Sequence, residues 1–288
     1  MNIHQIVTDK IIAIMEEGVS QGKRRWTQSL GGGLPCNAKT GKPYNGINVL
    51  LLWVEAAERG FTSGSWLTYK QAQAMGGQVR KGEKSVLCVF YDKVKRAAKD
   101  GEDDTFYSMA KPFWLFNLEQ IDGFTQTAAS VETRAFSPME EAERVLADSG
   151  ATIRHGFDSA YYSPGRDEIC LPDRERFTSE ANYYATALHE LAHWTGHASR
   201  LNRTFGKRFG DHAYAREELV AELSSAFSMG QLGLVDGTIE GHAYYLSKWV
   251  ACLKEDNGAI FTAASKAGKA SDFILQRCMA GAVAELEA

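Results

Sequence analysis

The sequence predicts a two-part α+β protein: a mixed N-terminal half with a small antiparallel sheet, then a mostly helical C-terminal half with a small sheet of its own. Three observations predict it. Residues 86–94 and 106–118 are rich in β-branched and aromatic residues, as strands are. From Ser179 onward, apolar residues recur at helical period over 179–196, 214–231, 240–255 and 259–284. Between the halves, residues 126–137 carry Thr127, Ala128, Ala129 and Ser130 with no periodicity, which reads as a linker. The expected units are residues 1–125 and 138–288, joined by that linker and touching over a limited interface.

In the first half, Ile3, Ile6, Val7, Ile11, Ile14 and Met15 mark a helix over 3–17. Residues 21–42 are polar and glycine-rich and read as a loop. Helices follow over 45–59 and 68–75, the second stopped by Gly76-Gly77. The charged segment 95–104 separates the two strands. Trp53, Trp66 and Trp114 are expected in the core. In the second half, Ser137-Pro138-Met139-Glu140 is a helix start, with a capping residue, a proline at the first helical position and a glutamate three residues after the cap. Short strands are expected near 152–154, 160–162 and 168–171.

The chain has 288 residues, 44% hydrophobic and 24% charged, the profile of an ordinary globular protein. It holds no run of 18 apolar residues, so a membrane partner is not expected. The start Met1-Asn2-Ile3-His4 has no basic-then-apolar leader pattern. Five cysteines without a Cys-x-x-Cys pair suggest neither a disulfide framework nor a thiolate metal site. A reducing cytoplasm fits. The net charge of −4 is uneven: residues 1–125 hold 16 Lys and Arg against 13 Asp and Glu, and the rest hold 16 against 23. Only the first half is suited to a polyanion.

The most specific signal is His189-Glu190-Leu191-Ala192-His193 inside a helical pattern. Residues four apart share a helix face, so both imidazoles can reach one ion. Zinc suits imidazole nitrogen and makes water acidic enough to supply a nucleophile at neutral pH. Glu190, beside the first ligand, is placed to act as general base and acid. A third ligand is expected from Glu217-Glu218-Leu219-Val220-Ala221-Glu222. Glu218 and Glu222 share a face. Glu218 is assigned as ligand and Glu222 as the carboxylate that orients a histidine, with the reverse assignment open. Glu217, about 100° away, is expected to be a solvated charge. His197 continues the four-residue spacing, but Gly196 interrupts the helix, so it is expected behind the ligands or facing substrate. Zn2+ is the expected ion, with another divalent metal such as Mn2+ as alternative.

In the first half, cations alternate with aromatic rings: Lys23-Arg24-Arg25-Trp26, then Lys39, Lys42 and Tyr44, then Lys70, then Arg80, Lys81 and Lys84. Phosphates call for Lys and Arg, and unstacked bases call for aromatic faces, so this pattern suits single-stranded nucleic acid. No helix-turn-helix or zinc-finger spacing points to reading of a duplex.

At these residues the chain resembles plasmid-borne antirestriction proteins of the ArdC type. The motifs that carry the resemblance are Asn37-Ala38-Lys39-Thr40-Gly41-Lys42-Pro43-Tyr44-Asn45-Gly46, Trp66-Leu67-Thr68-Tyr69-Lys70, Arg80-Lys81-Gly82-Glu83-Lys84, Phe113-Trp114-Leu115-Phe116-Asn117, His189 to His197, and Glu217 to Leu223. They occur in order along nearly the whole chain. The resemblance implies an N-terminal single-stranded-DNA-binding domain, a zincin-like metallopeptidase domain, and protection of incoming plasmid DNA from restriction during conjugation. It leaves proteolysis and its target open. Two alternatives stand beside it: a metallopeptidase that cleaves a specific host protein recruited by the first half, and a non-enzymatic DNA-binding protein with a structural metal.

Overall fold

A computed structural model describes residues 2–21, 33–96, 105–124, 138–205, 212–234 and 243–286. The fold is mixed α+β. The first half runs α1 (Ile3–Gln21), β1 (Cys36–Asn37), α2 (Ile47–Arg59), β2 (Ser65–Leu67), α3 (Tyr69–Ala74), β3 (Gln78–Val79), β4 (Val86–Arg96), β5 (Thr105–Asn117) and β6 (Ile121–Asp122). Its main sheet has the order β1-β2-β5-β4, with β1 parallel to β2 and the other pairs antiparallel. Strands β3 and β6 form a separate antiparallel pair.

Helix α2 is buried without a break from Ile47 to Ala56 because it is packed between the sheet and the helices around it. The Asn48 side chain replaces the missing strand at the free edge of β4. Its amide donates to the Val89 carbonyl (2.7 Å) and its oxygen accepts from the Val89 N–H (2.8 Å). At Val89 the edge is thus satisfied within the chain. Helix α3 starts at a reciprocal capping box, in which Thr68 Oγ1 accepts from the Gln71 N–H and the Gln71 side chain accepts from the Thr68 N–H.

The second half runs α4 (Pro138–Asp148), β7 (Thr152–Arg154), β8 (Tyr161–Ser163), β9 (Glu168–Cys170), α5 (Glu180–Thr195), α6 (His212–Leu232), α7 (Ala243–Glu255) and α8 (Ala259–Leu286). Its sheet has the order β7-β9-β8, with β9 central, parallel to β7 and antiparallel to β8. Ser179 caps α5 by accepting from the Asn182 N–H (3.2 Å).

The expected linker 126–137, its helix cap Ser137, and most of the segment 95–104 lie outside the described residues. Part of the expected loop 21–42 is instead the short strand β1, whose parallel pairing with β2 no local pattern announces. The limited interface expected between the halves is not what the packing displays. The largest hydrophobic cluster joins Ile11 and Met15 of α1 and Leu50 and Trp53 of α2 to Leu219 and Phe227 of α6, Trp249 of α7 and Ile260 of α8. Gly230 of α6 makes this closeness possible, since a Cβ there would stand 3.0 Å from the Trp53 ring. Net charge, which suggested separate bodies, reports on surfaces and not on what apolar faces bury.

Candidate metal centre and nucleic-acid face

Every residue of α5 from Asn182 to Thr195 is buried, and the helix presents His189 and His193 on one face. Their Nε2 atoms lie 3.2 Å apart, with the rings edge to face. Two such nitrogens at that distance need a proton or a cation between them. Glu218 of α6 spans the pair, with one carboxylate oxygen 3.6 Å from His189 Nε2 and the other 3.5 Å from His193 Nε2. Tetrahedral ligands about 2.0–2.1 Å from zinc stand about 3.3–3.4 Å from one another, so the two imidazole nitrogens have the spacing of one ion's ligands and the Glu218 carboxylate lies across the same gap. Among the described residues these three form the cluster able to hold a metal, their ligand atoms all within 4.8 Å of one another. Glu190 is buried next to His189 on the same helix.

Each histidine is backed by a second carboxylate from α6. Glu222 stands 3.8 Å from His189 Nδ1, and Glu217 bonds His193 Nδ1 at 3.3 Å. The expectation for Glu217 was therefore wrong: it is buried at 5% exposure, not solvated. Glu217 does leave the face of Glu218, as helical geometry requires. A third element covers that side. Arg203 follows the end of α5 and grips Glu217 through Nε (3.1 Å) and a terminal nitrogen (2.7 Å). It also donates to the Thr195 hydroxyl and the Ala192 carbonyl. Gly196 leaves room for this, since a Cβ there would meet the Arg203 guanidinium at 2.9 Å and Phe205 at 2.8 Å.

Four carboxylates, Glu190, Glu217, Glu218 and Glu222, are thus buried around two imidazoles and one guanidinium. Buried anions in excess call for a cation. Burial disfavours the charged form of His193, but Glu217, Glu218 and Glu190 outweigh it and push its pKa up to about 10. Glu218 responds in the opposite sense. Burial raises it, and the two histidines beside it more than offset that, holding it well below the usual carboxylate range. His197 stands outside this group. Helix α5 ends at Thr195, and His197 sits in the following turn with Nδ1 bonded to the Ser199 hydroxyl (2.8 Å).

In the first half, a small core of Leu67, Ala72, Val79 and Ile121, with Ala38, Phe116, Leu118 and Phe124 packed on it, gathers three of the basic segments. Ala38 anchors the loop with Lys39 and Lys42, Ala72 anchors α3 with Lys70, and Val79 anchors the turn with Lys81 and Lys84. These five lysines are exposed. The other candidates differ. Arg80 is not a free cation: it donates to the Glu119 carbonyl (2.6 Å) and pairs with Glu83 (3.0 Å) and Asp122 (3.5 Å), which fixes the β3 turn. Tyr44 is half-buried, and its hydroxyl accepts from the Asn37 amide (3.3 Å); burial pushes its pKa up to about 12. Lys23, Arg24, Arg25 and Trp26 lie outside the described residues.

Residues 140–266 match the zincin-like metallopeptidase family, and residues 1–116 match the N-terminal domain of the anti-restriction factor ArdC. The chain is 37% identical to the antirestriction ArdC protein from plasmid R388. It superposes on the metal-free crystal structure with a TM-score of 0.81, over 97% of this chain and 99% of that one. Against the Mn(II)-bound structure the TM-score is 0.79, over 96% and 98%. The chain belongs to the ArdC antirestriction family. An uncharacterized protein of Sinorhizobium fredii, y4eC, is 39% identical over 95% of this chain and 91% of its own length. DNA primase TraC of Escherichia coli is 40% identical over 94% of this chain, which spans only 27% of TraC.

In this ArdC-family protein, two of the three tryptophans expected in the core are there. Trp66 is 0% and Trp53 3% exposed, whereas Trp114 is 53% exposed on the sheet surface. Trp114 is not marked out in the sequence because residues 112–116 around it are apolar without a break. The signal available was alternation, with Phe113 and Leu115 on the opposite face. Nor is Arg203 marked out, an isolated arginine in a loop with no motif around it.

Proposed function

We propose that this protein binds single-stranded DNA through its N-terminal half, holds a divalent metal at His189, His193 and Glu218, and protects incoming plasmid DNA from restriction during conjugation. The observation that carries the metal reading is a pair of buried Nε2 atoms 3.2 Å apart, with one oxygen of the buried Glu218 carboxylate 3.6 Å from the first and the other oxygen 3.5 Å from the second. Zinc fits two imidazoles and a carboxylate. Manganese, present in one structure of the R388 relative, is the alternative. No helix among the described residues is long and apolar enough to cross a membrane. The convergence of Lys39, Lys42, Lys70, Lys81 and Lys84 supports the DNA reading, because a phosphate backbone is bound chiefly by such cations.

When bound, such an ion acts as a Lewis acid and makes water nucleophilic at neutral pH. The chain's own groups do the rest. The Glu190 carboxylate, next to His189 on α5, would take a proton from the attacking water and return it to the leaving group. Glu217 bonds the His193 imidazole with its Nε2 turned inward, and Glu222, 3.8 Å from His189 Nδ1, is placed to orient the other. The buried Arg203–Glu217 pair keeps the carboxylate that bonds His193 in place. A buried general base has no part in a purely structural site, so Glu190 favours hydrolysis, with a host protein as the candidate substrate.

The test is restriction survival of plasmid transferred into a restricting recipient, comparing wild type with Glu190→Gln. Loss of protection with metal content and DNA binding retained supports a hydrolytic mechanism. Full protection places the function in DNA binding or in a scaffold. Absence of a bound divalent ion from the wild-type protein, by elemental analysis after purification without chelator, sinks the metal reading.

A further inference from the structure

We infer that Trp114 and Tyr69 are a stacking platform for the unpaired bases of a single strand whose phosphates run along Lys70 and Lys81. This rests on the single-stranded-DNA reading above and adds its surface and its mode of recognition. Trp114 lies opposite Leu87 within the continuous β4–β5 register, so its backbone is fixed. It shares a strand face with Pro112 and Phe116, because residues two apart point the same way. Phe116 is met edge-on by Tyr69, ring centroids 6.4 Å apart. Trp114 is 53% and Tyr69 42% exposed, so two rings of one aromatic strip present their surfaces to solvent.

Beside the strip is a trough lined by Tyr69, Val79, Arg80, Lys81 and Phe116, with Gln78, Glu83 and Asp122 completing it. The charges there are sorted. Arg80 occupies Glu83 and Asp122, while Lys70, Lys81 and Lys84 form no ion pair among the described residues. Lys39 and Lys42 extend the same side, since their loop is tied to α3 by the bond from the Asn37 amide to Gln71 Oε1 (3.2 Å). Exposed rings bordered by unmatched cations fit a polyanion that carries flat apolar groups. A protein partner with an apolar patch does not need the lysines, and a duplex keeps its base faces stacked and out of reach. A single strand offers both, and stacking tolerates any base.

The test uses the full chain and a dye-labelled oligothymidylate of about 20 nucleotides, longer than one site of this kind. Trp114→Ala and Tyr69→Ala are each expected to weaken binding by about 5- to 100-fold with the salt dependence unchanged. Trp114→Phe should restore most of the loss. Lys81→Ala/Lys84→Ala should instead reduce the slope of log K against log salt by about 0.7 for each phosphate no longer neutralised. Oligothymidylate should quench wild-type tryptophan fluorescence and do so much less in Trp114→Phe. Unchanged melting temperatures separate these effects from misfolding, and both side chains are exposed enough for truncation to be tolerated. Wild-type affinity in a Trp114→Ala/Tyr69→Ala double variant overturns the platform while the DNA reading stands. Equal affinity for duplex and single strand also overturns it. No binding by the wild-type chain at low salt overturns the DNA reading itself.

Discussion

The metal centre and the nucleic-acid face are built on opposite plans. The centre is enclosed: its histidines, carboxylates and arginine are all buried, and two helices supply nearly all of it. The face is open, assembled from a hairpin loop, a short helix, a tight turn and a strand, held together by a small core. Enclosed groups interact at low dielectric, so each one matters greatly and its neighbours cannot adapt. Exposed cations act additively and are screened by salt. One region should therefore fail steeply under single changes, and the other should weaken by degrees.

The largest expected effect is on metal occupancy. His189→Ala/His193→Ala removes two of three donors, and divalent-metal affinity should fall by more than about a thousandfold. Isothermal titration with Zn2+ and elemental analysis measure it. Undiminished metal in the double variant places the ion elsewhere.

Next is the Arg203–Glu217 pair. Glu217→Ala leaves a buried guanidinium without its counter-charge, a change that costs about 3–5 kcal/mol of stability. It also removes the acceptor of the His193 Nδ1–H, for which about a 10- to 100-fold loss of metal affinity is expected. Glu217→Gln keeps an acceptor and should recover part of the affinity. Chemical denaturation of the metal-free protein separates the two effects. If Glu217→Ala melts like wild type, the pair carries no such weight.

The sequence made the two regions legible to different degrees, for reasons these residues make plain. His189, Glu190 and His193 are readable because one helix fixes their geometry, and Glu218 and Glu222 because a second helix does. Glu217 was misread because helical geometry says which way a residue points, not what lies there, and Arg203 arrives from 14 residues upstream. On the face, the lysines were readable as local runs. Trp114 was not, because exposure of a sheet face depends on what packs over it, and α3 covers Phe116 but stops short of its neighbour. The fold class followed from periodicity. The shared core of the two halves did not, since α1 and α2 meet α6 and α7 only through the tertiary fold.

Protons should reveal the enclosed character of the centre. The carboxylates around His193 raise its pKa from the usual 6.5 to about 10 in the metal-free protein. A raised pKa stabilises the fold fully below 6.5, and that contribution is lost as pH rises toward about 10. Metal-free protein should therefore become less stable across this interval. Metal binding must displace the same proton, so affinity should rise about tenfold per pH unit over the interval. Calorimetry in buffers of different ionisation enthalpy counts the protons released. A pH-independent affinity with no proton release contradicts the charge arrangement described for the centre.

The smallest expected effect joins the two regions: Glu190→Gln should leave single-stranded-DNA binding within about twofold of wild type at equal metal occupancy, since phosphates held at an exposed face are screened by water and salt. The shared hydrophobic core makes this a demanding expectation, because a disturbance at α5 or α6 has a packed route to α2 and the sheet. Packed routes carry a signal only when an element along them has two arrangements, and replacing a carboxylate by an amide of equal volume supplies no reason to change arrangement. The three donors, the Arg203–Glu217 pair and the fold of α5 are all left intact. The segments that carry the lysines are anchored on a small core of their own, apart from the one that buries α5. Oligothymidylate titrations of both proteins, each with metal and each without, measure the effect. Should the substitution weaken DNA binding in folded protein at matched occupancy, the general base is coupled to the DNA face, and the shared core is a transmission path as well as a scaffold.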